Sequence, residues 1–460
     1  MPAKKAPSLL IRDIHTLVTM DTQRTVWRGG FIYIVNGEIR EVGQRPRRGL
    51  RADRTLRASR LLAVPGLINT HHHLCQTLTR AVPAAANAGL FEWLQILYPL
   101  WARLDEESVH VSALVGMAEL MLSGCTTTSD HHYVFPRGQT RLIDVQIEAA
   151  RRIGIRFHPC RGSMSLSQKD GGLPPDSVVQ KEETILADCE RLIRTYHDPR
   201  PGAMVQIALA PCSPFSVSAQ LMRSTAELAR RHGVRLHTHL AETRDEEAYC
   251  QKRYRQRPLD FLAESGWLEN RTWLAHGIHF NQAEVKRLGE ARVGIAHCPT
   301  SNMRLGCGIA PVLDLRRHRC PVGLGVDGSA SNDSSNMLAE ARQALLLARV
   351  AHGPSALTPL EALEMATREG ARCLGRNDLG SLEAGKCGDV ALFDLEQLGY
   401  SGAGDALSAL LLCAPTPVHT LVVNGRVLIE DSELRTVALG PVLARHRRLA
   451  AKLVGHPAPI

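Results

Sequence analysis

Between about residues 63 and 375, short β-branched runs alternate with longer amphipathic stretches, and most of the short runs end in histidine or another polar residue. Such alternation is the mark of repeated βα units. Strand-like runs fall around residues 67–70, 126–129, 154–158, 204–209, 234–239, 272–276, 293–297 and 322–327. Between them lie helical stretches such as 107–122, where Leu114, Met117, Ala118 and Met121 share one face. A set of eight predicts a (β/α)8 TIM-type barrel of the α/β class, in which chemistry gathers at the C-terminal strand ends.

The termini have a different pattern. Phe31 to Val42 carries Asn36-Gly37 between strand-like runs, and Leu421 to Ile429 repeats the device at Asn424-Gly425. Asn-Gly tolerates the positive φ of a type I′ turn, so both segments are expected to be hairpins. The expected division is residues 1–62 and 376–460 forming one small β-sandwich, the latter part with a terminal helix, around a barrel of residues 63–375. Two unrelated β domains flanking an open sheet are the alternative.

Several broad classes are excluded. With 44% hydrophobic and 22% charged residues the chain has the composition of a globular protein, and no apolar run approaches the ~18 residues of a membrane span. Lys4 and Lys5 precede only a short apolar stretch before Arg12 and Asp13, which does not resemble a secretory signal. The twelve cysteines come no closer than the step from Cys298 to Cys307, so no CxxC or zinc-finger spacing exists. They read as reduced core thiols, which fits the cytoplasm. The net charge of +9 includes seven arginines between Arg45 and Arg60 and a group at Arg445, Arg447 and Arg448. Neither run is interleaved with aromatics, which make up 4% of the chain, so a solvated surface is expected and no nucleic-acid partner.

Three segments place metal-ligand residue types at expected strand ends. In Pro65 to His73, His71 and His73 alternate on an extended strand and point to the same side, with His72 opposite. The others are Leu236-His-Thr-His-Leu-Ala-Glu-Thr243 and Gly325-Val-Asp-Gly-Ser329. Neutral imidazoles with a carboxylate suit a borderline divalent metal such as zinc with a position left for water.

The HxH after a Pro-Gly strand, His239-Leu-Ala-Glu242, Ala275-His276, His297-Cys-Pro-Thr-Ser-Asn302, Val326-Asp327-Gly328 and Gly380-Ser-Leu-Glu-Ala-Gly-Lys-Cys-Gly-Asp389 together resemble the aminohydrolase (deaminase) branch of the amidohydrolase superfamily. The resemblance covers essentially the whole chain. It implies one Zn2+ per chain on His71, His73, His239 and Asp327, with His237 a decoy or a supporting group. Many superfamily members hold two metals through a carbamylated lysine on the fourth strand, but residues 203–215 contain no lysine, so a mononuclear centre is expected. Asp327 would accept a proton from the attacking water, Glu242 would protonate the substrate's ring nitrogen, and His276 would orient the water or polarise the adduct.

The resemblance further implies a small-molecule substrate, a free purine base: 8-oxoguanine, hydrolysed to urate and ammonia. Hydroxylated alkylamino-triazines and guanine or other aminopurines are the alternatives. Gln76 stands where ring-binding glutamines occur in such enzymes, and Cys212 where guanine-specific members carry a base-reading arginine. Asn302 and Arg304, after the seventh strand, are expected near the pocket. Nucleoside-acting relatives usually carry a glutamate where this chain has Trp101, which is expected to offer an indole face to a flat ring. A homo-oligomer is also implied, without a patch that marks its interface.

Overall fold

The computed structural model describes residues 7–455, so Lys4 and Lys5 lie outside the described residues. Eight parallel strands close into a barrel: β1 (Leu67–Asn69), β2 (Cys125–His132), β3 (Arg156–Ser163), β4 (Ala208–Pro211), β5 (Arg235–Leu240), β6 (Thr272–His276), β7 (Gly294–His297) and β8 (Val322–Leu324). Closure is made by Leu324 of β8 pairing with Asn69 of β1. The expected (β/α)8 architecture is therefore present.

Two strand ends differ from expectation in ways that matter. The fourth strand is expected at 204–209 but runs over Ala208–Pro211. Residues 204–206 meet β3 only at a single bridge, Phe157 N–H donating to the Met204 carbonyl at 2.9 Å and Gln206 N–H to the Phe157 carbonyl at 3.2 Å, and just before them the buried Arg156 Nη1 donates to the carbonyls of Gly202 and Ala203 at 2.7 and 2.8 Å. The eighth strand stops at Leu324 rather than continuing to Asp327. Asp327 adopts φ +60° and, with Gly328, pairs with His72–His73 in a separate two-stranded ladder. That break carries the carboxylate onto the HxH segment. Gly325 permits it, since a Cβ there would lie 2.7 Å from His71 Cβ.

The helix expected at 107–122 is Glu106–Leu122, started by a reciprocal capping box between Asp105 and Ser108, both bonds at 2.8 Å. A single apolar face is expected, yet twelve of its seventeen residues are buried. The Leu142–Ile153 helix, the 3₁₀ turn Leu74–Thr79 and the C-terminal helix Leu439–Val454 all pack around it. Such all-round burial erases a one-sided pattern.

Outside the barrel lie two sheets. One has four strands in the order Glu38–Gly43, Phe31–Val35, Ser8–Arg12, Arg54–Arg57. The other has seven and is centred on Thr420–Val423, Val390–Asp394, Leu61–Pro65 and Thr16–Val18, so both ends of the chain contribute to it. Leu9, Ile11, Ile32 and Ile34 meet Leu61, Ala63, Leu392 and Val422 in one apolar cluster between the sheets. Strand Leu61–Pro65 straddles the division expected at 62/63. Both Asn-Gly hairpins form, with φ +51° and +82° at Asn36-Gly37 and +50° and +74° at Asn424-Gly425.

Three of the seven arginines of the 45–60 run pair with carboxylates, Arg47 with Glu41, Arg54 with Glu430 and Arg60 with Asp394. All twelve cysteines are free thiols, eleven of them buried. Among the described residues no helix is long and apolar enough to cross a membrane.

Candidate active site

The C-terminal ends of β1, β5, β6 and β8 converge on a group of buried histidines. His73 Nε2 lies 3.1 Å from His239 Nε2 and 3.4 Å from Asp327 Oδ1, and His71 Nε2 lies 3.2 Å from the same oxygen. The second nitrogens of these rings fix their tautomers. His73 Nδ1 faces the carbonyl of His131 at 2.6 Å and His239 Nδ1 that of Cys212 at 2.7 Å. A carbonyl only accepts, so both Nδ1 atoms carry the proton and both Nε2 atoms present lone pairs. His71 is set by a longer chain, with His71 Nδ1 lying 2.8 Å from His237 Nε2 and His237 Nδ1 lying 2.8 Å from the Trp273 carbonyl. The carbonyl makes His237 Nδ1 a donor, so His237 Nε2 accepts from His71 and the His71 lone pair also faces inward.

Lone pairs of three imidazoles thus meet a carboxylate oxygen in the protein interior with no proton between them. Such an arrangement is repulsive unless a cation occupies its centre, and His71 Nε2 is a buried atom without a hydrogen-bond partner. Three nitrogens and one oxygen fit zinc. His237 is no decoy: it lies stacked on Trp273, 4.3 Å between centroids, and orients His71. His72 points away, as expected, toward Ser335 Oγ at 3.0 Å.

Asp327 is braced on its other side. Its Oδ2 accepts from Ser301 Oγ at 2.6 Å and Ser331 Oγ at 3.1 Å, and its Oδ1 from the Gly328 N–H at 2.7 Å. Burial alone would raise its pKa and positive charge on His71 and the nearby rings would hold it well below the usual carboxylate range; with those rings neutral, the two serine hydroxyls and the Gly328 N–H favour its ionised form. Glu242 experiences the opposite: burial pushes its carboxyl up to about 7, with His276 opposing. His276 Nε2 stands 3.6 Å from Glu242 Oε2. Against the pull of burial, the carboxylates of Glu242 and Asp327 raise the His276 pKa above its ordinary value. Ala241, His276 and Asp327 all adopt positive φ, of +53°, +70° and +60°. Strained backbone of this kind clusters where geometry is imposed by function.

These groups border a cavity at the mouth of the barrel. Of the residues expected there, His73, Gln76, Cys212, His239, Glu242, His276 and Asp327 line it. Gln76 approaches Gly328 so closely that a Cβ there would lie 1.8 Å from Gln76 Oε1. Trp101 does not line the cavity, contrary to expectation. It is fully buried behind the wall, its Nε1 donating to Thr79 Oγ1 at 3.1 Å and its ring packed edge-on against Trp93. Tyr98 and Trp93, one and two helical turns earlier, reach the cavity instead. Asn302 is likewise not in the wall; its Oδ1 accepts from His276 Nδ1 at 3.0 Å, so it acts on that ring. Arg304 binds Asp333 at 2.6 Å and holds the loop.

Sequence reading missed several contributors. Tyr133 and Phe215 complete the aromatic wall with Trp93 and Tyr98. Ser301 sits inside a motif already noted and Ser331 two residues beyond another, but nothing in a serine's identity announces that it will brace a carboxylate. His131 closes the second strand, with Nε2 donating to the Ala210 carbonyl at 2.9 Å. The double histidine at 131–132 was its available signal.

The amidohydrolase family model matches residues 62–428, and the chain belongs to that family. It is 54% identical over 428 residues to the 8-oxoguanine deaminase of Pseudomonas aeruginosa, covering 92% of this chain and 95% of that one. It is 38% identical to the hydroxydechloroatrazine ethylaminohydrolase of Pseudomonas sp. strain ADP, over 92% and 91% of the two chains. Among solved structures it resembles the atrazine chlorohydrolase of Arthrobacter aurescens complexed with zinc, at a TM-score of 0.92 and 34% identity over 96% of this chain and 100% of that one. An adenosine deaminase of Xanthomonas campestris with bound zinc superposes at a TM-score of 0.89 and 27% identity, over 97% and 98%.

Proposed function

We propose that the chain is a zinc-dependent aminohydrolase that converts the free base 8-oxoguanine and water to urate and ammonia. The observation that carries this reading is the convergence of three inward lone pairs and Asp327 beside Glu242, an acid raised to about 7. The choice of base is supported by the 54% identity to an 8-oxoguanine deaminase.

His71, His73, His239 and Asp327 would hold one zinc ion. When bound, zinc supplies Lewis acidity, lowering the pKa of water from about 15.7 towards 7. Asp327, kept ionised, accepts a proton from the water that attacks the ring carbon bearing the amine. Glu242 delivers a proton to the adjacent ring nitrogen and so removes the negative charge that develops there. Asp327 passes its proton to the amine, which leaves as ammonia while the adduct's hydroxyl returns a proton to Glu242 and becomes the carbonyl; His276, held by Asn302, steadies the tetrahedral adduct until then. Gln76 has donor and acceptor atoms for the base edge, Cys212 adds a small wall, and Trp93, Tyr98, Tyr133 and Phe215 offer apolar faces to a flat ring. These walls support a free base in place of a nucleoside, the part first assigned to Trp101. The reduced thiols support a cytoplasmic setting, and the family supports a homo-oligomer.

A second reading, cleavage of an alkylamine from a hydroxylated triazine, is favoured by the 38% identity to such an enzyme. A screen of aminopurines, aminopyrimidines, pterins and triazines separates the two. Ammonia release from 8-oxoguanine with the highest kcat/KM is expected; faster alkylamine release from a triazine overturns the substrate assignment.

A further inference from the structure

The acidic run 242–247 divides sharply in the structure. Asp245 is exposed and Glu247 half-buried, whereas Glu242 and Glu246 are buried, Glu246 completely. Glu246 occupies the third position of the helix Arg244–Tyr254, whose N-cap Thr243 accepts from the Glu246 N–H at 3.2 Å. In a capping box the carboxylate at this position would turn back to the N–H of the cap residue. Here it reaches past it. Oε1 accepts from the Ala241 N–H at 2.8 Å and Oε2 from the Glu242 N–H at 3.0 Å.

Those two N–H groups belong to the left-handed Ala241, φ +53°, and to Glu242 itself. The Ala241 carbonyl is tied from the other side by the N–H groups of Ile278 and His279, at 2.8 and 2.9 Å, just after the His276 strand end. Among the described residues no arginine or lysine pairs with Glu246. Burial raises its carboxyl pKa, while the two N–H donors, which use both oxygens as acceptors, favour the ionised form. A buried carboxyl without a cation is costly to a fold and persists where it serves a site. We infer that Glu246 is the positioning residue of this centre, its carboxylate clamping the strained Ala241–Glu242 backbone so that the Glu242 side chain meets the cavity and His276. The inference rests on the reading of Glu242 as the proton-transfer group.

Glu246→Gln is the test, because an amide offers one acceptor oxygen and would turn its NH2 against the other N–H. Metal content, turnover per metal-loaded chain and hydrogen exchange of segment 240–246 are measured with the full-length holoenzyme. The kcat is expected to fall roughly 10- to 100-fold with KM within about threefold, as for a misaimed catalytic group. Metal stoichiometry is expected to hold, and exchange to quicken in segment 240–246. In a Glu242→Gln background the same substitution is expected to cost less than about twofold, since both act through one group. An equal factor in both backgrounds, or unchanged exchange in that segment, overturns the clamp. An unslowed Glu242→Gln enzyme overturns the proposed proton transfer, while the exchange measurement still decides whether Glu246 holds the loop.

Discussion

Glu242 and His237 serve the proposed chemistry without being among the proposed zinc ligands. Glu242→Gln keeps size and removes acid–base function, so kcat is expected to fall by about two to four orders of magnitude with metal content intact. Near-wild-type turnover would remove Glu242 from the proton transfer. His237→Phe keeps a ring against Trp273 but deprives His71 Nδ1 of its acceptor, so zinc affinity is expected to weaken by roughly 10- to 100-fold, read by competition with a chelator. Unchanged affinity would show that His71 needs no partner. At this scale His71 and His73 were readable because alternation on a strand sends both to one side, whereas His239, Asp327 and Glu242 were implied by the family resemblance. Trp101 was not readable: a tryptophan on an amphipathic helix can face a cavity or the layer behind it, and only packing against Trp93 and Thr79 decides.

Among the elements, the hairpins and barrel strands were legible because Asn-Gly turns and β-branched runs are local signals. The fourth strand starts late because residues 204–206 meet the third strand at only a single bridge, and a left-handed Asp327 ended the eighth. Neither cause is local in sequence. The turn at Gly37 gives a direct check. Its φ is +82°, and an added Cβ would lie 2.5 Å from Asn424 Oδ1, where the two hairpins meet. Gly37→Ala is expected to cost about 1–2 kcal/mol of stability through strained backbone, read as a lowered unfolding midpoint. The metal centre lies on the other body of the fold, so kcat should stay within about twofold; a large loss of kcat at full folding would show that the sandwich transmits strain to the barrel.

For the molecule as a whole, buried imidazoles set the response to acid. His72, His132 and His297 are each lowered by burial to about 3, and His131, His158 and His237 well below their usual value. The unfolded chain therefore binds more protons than the folded one as pH falls through about 6.5. Four carboxyls raised by burial, Asp130, Glu242, Glu246 and Glu340, act in the opposite sense from about pH 4 upward, but the six histidines outnumber them. Stability is expected to fall between about pH 6.5 and 4.5, seen as a lowered urea midpoint; a midpoint that is constant or rises on acidification would contradict the neutral-imidazole description. The most direct test of the whole assignment joins metal count to reaction. Chelator-stripped protein is titrated with zinc while the conversion of 8-oxoguanine to urate is followed. The expected result is a linear rise in urate formation that levels at about one zinc per chain. Levelling at two, or no urate at any loading, would contradict a mononuclear 8-oxoguanine aminohydrolase.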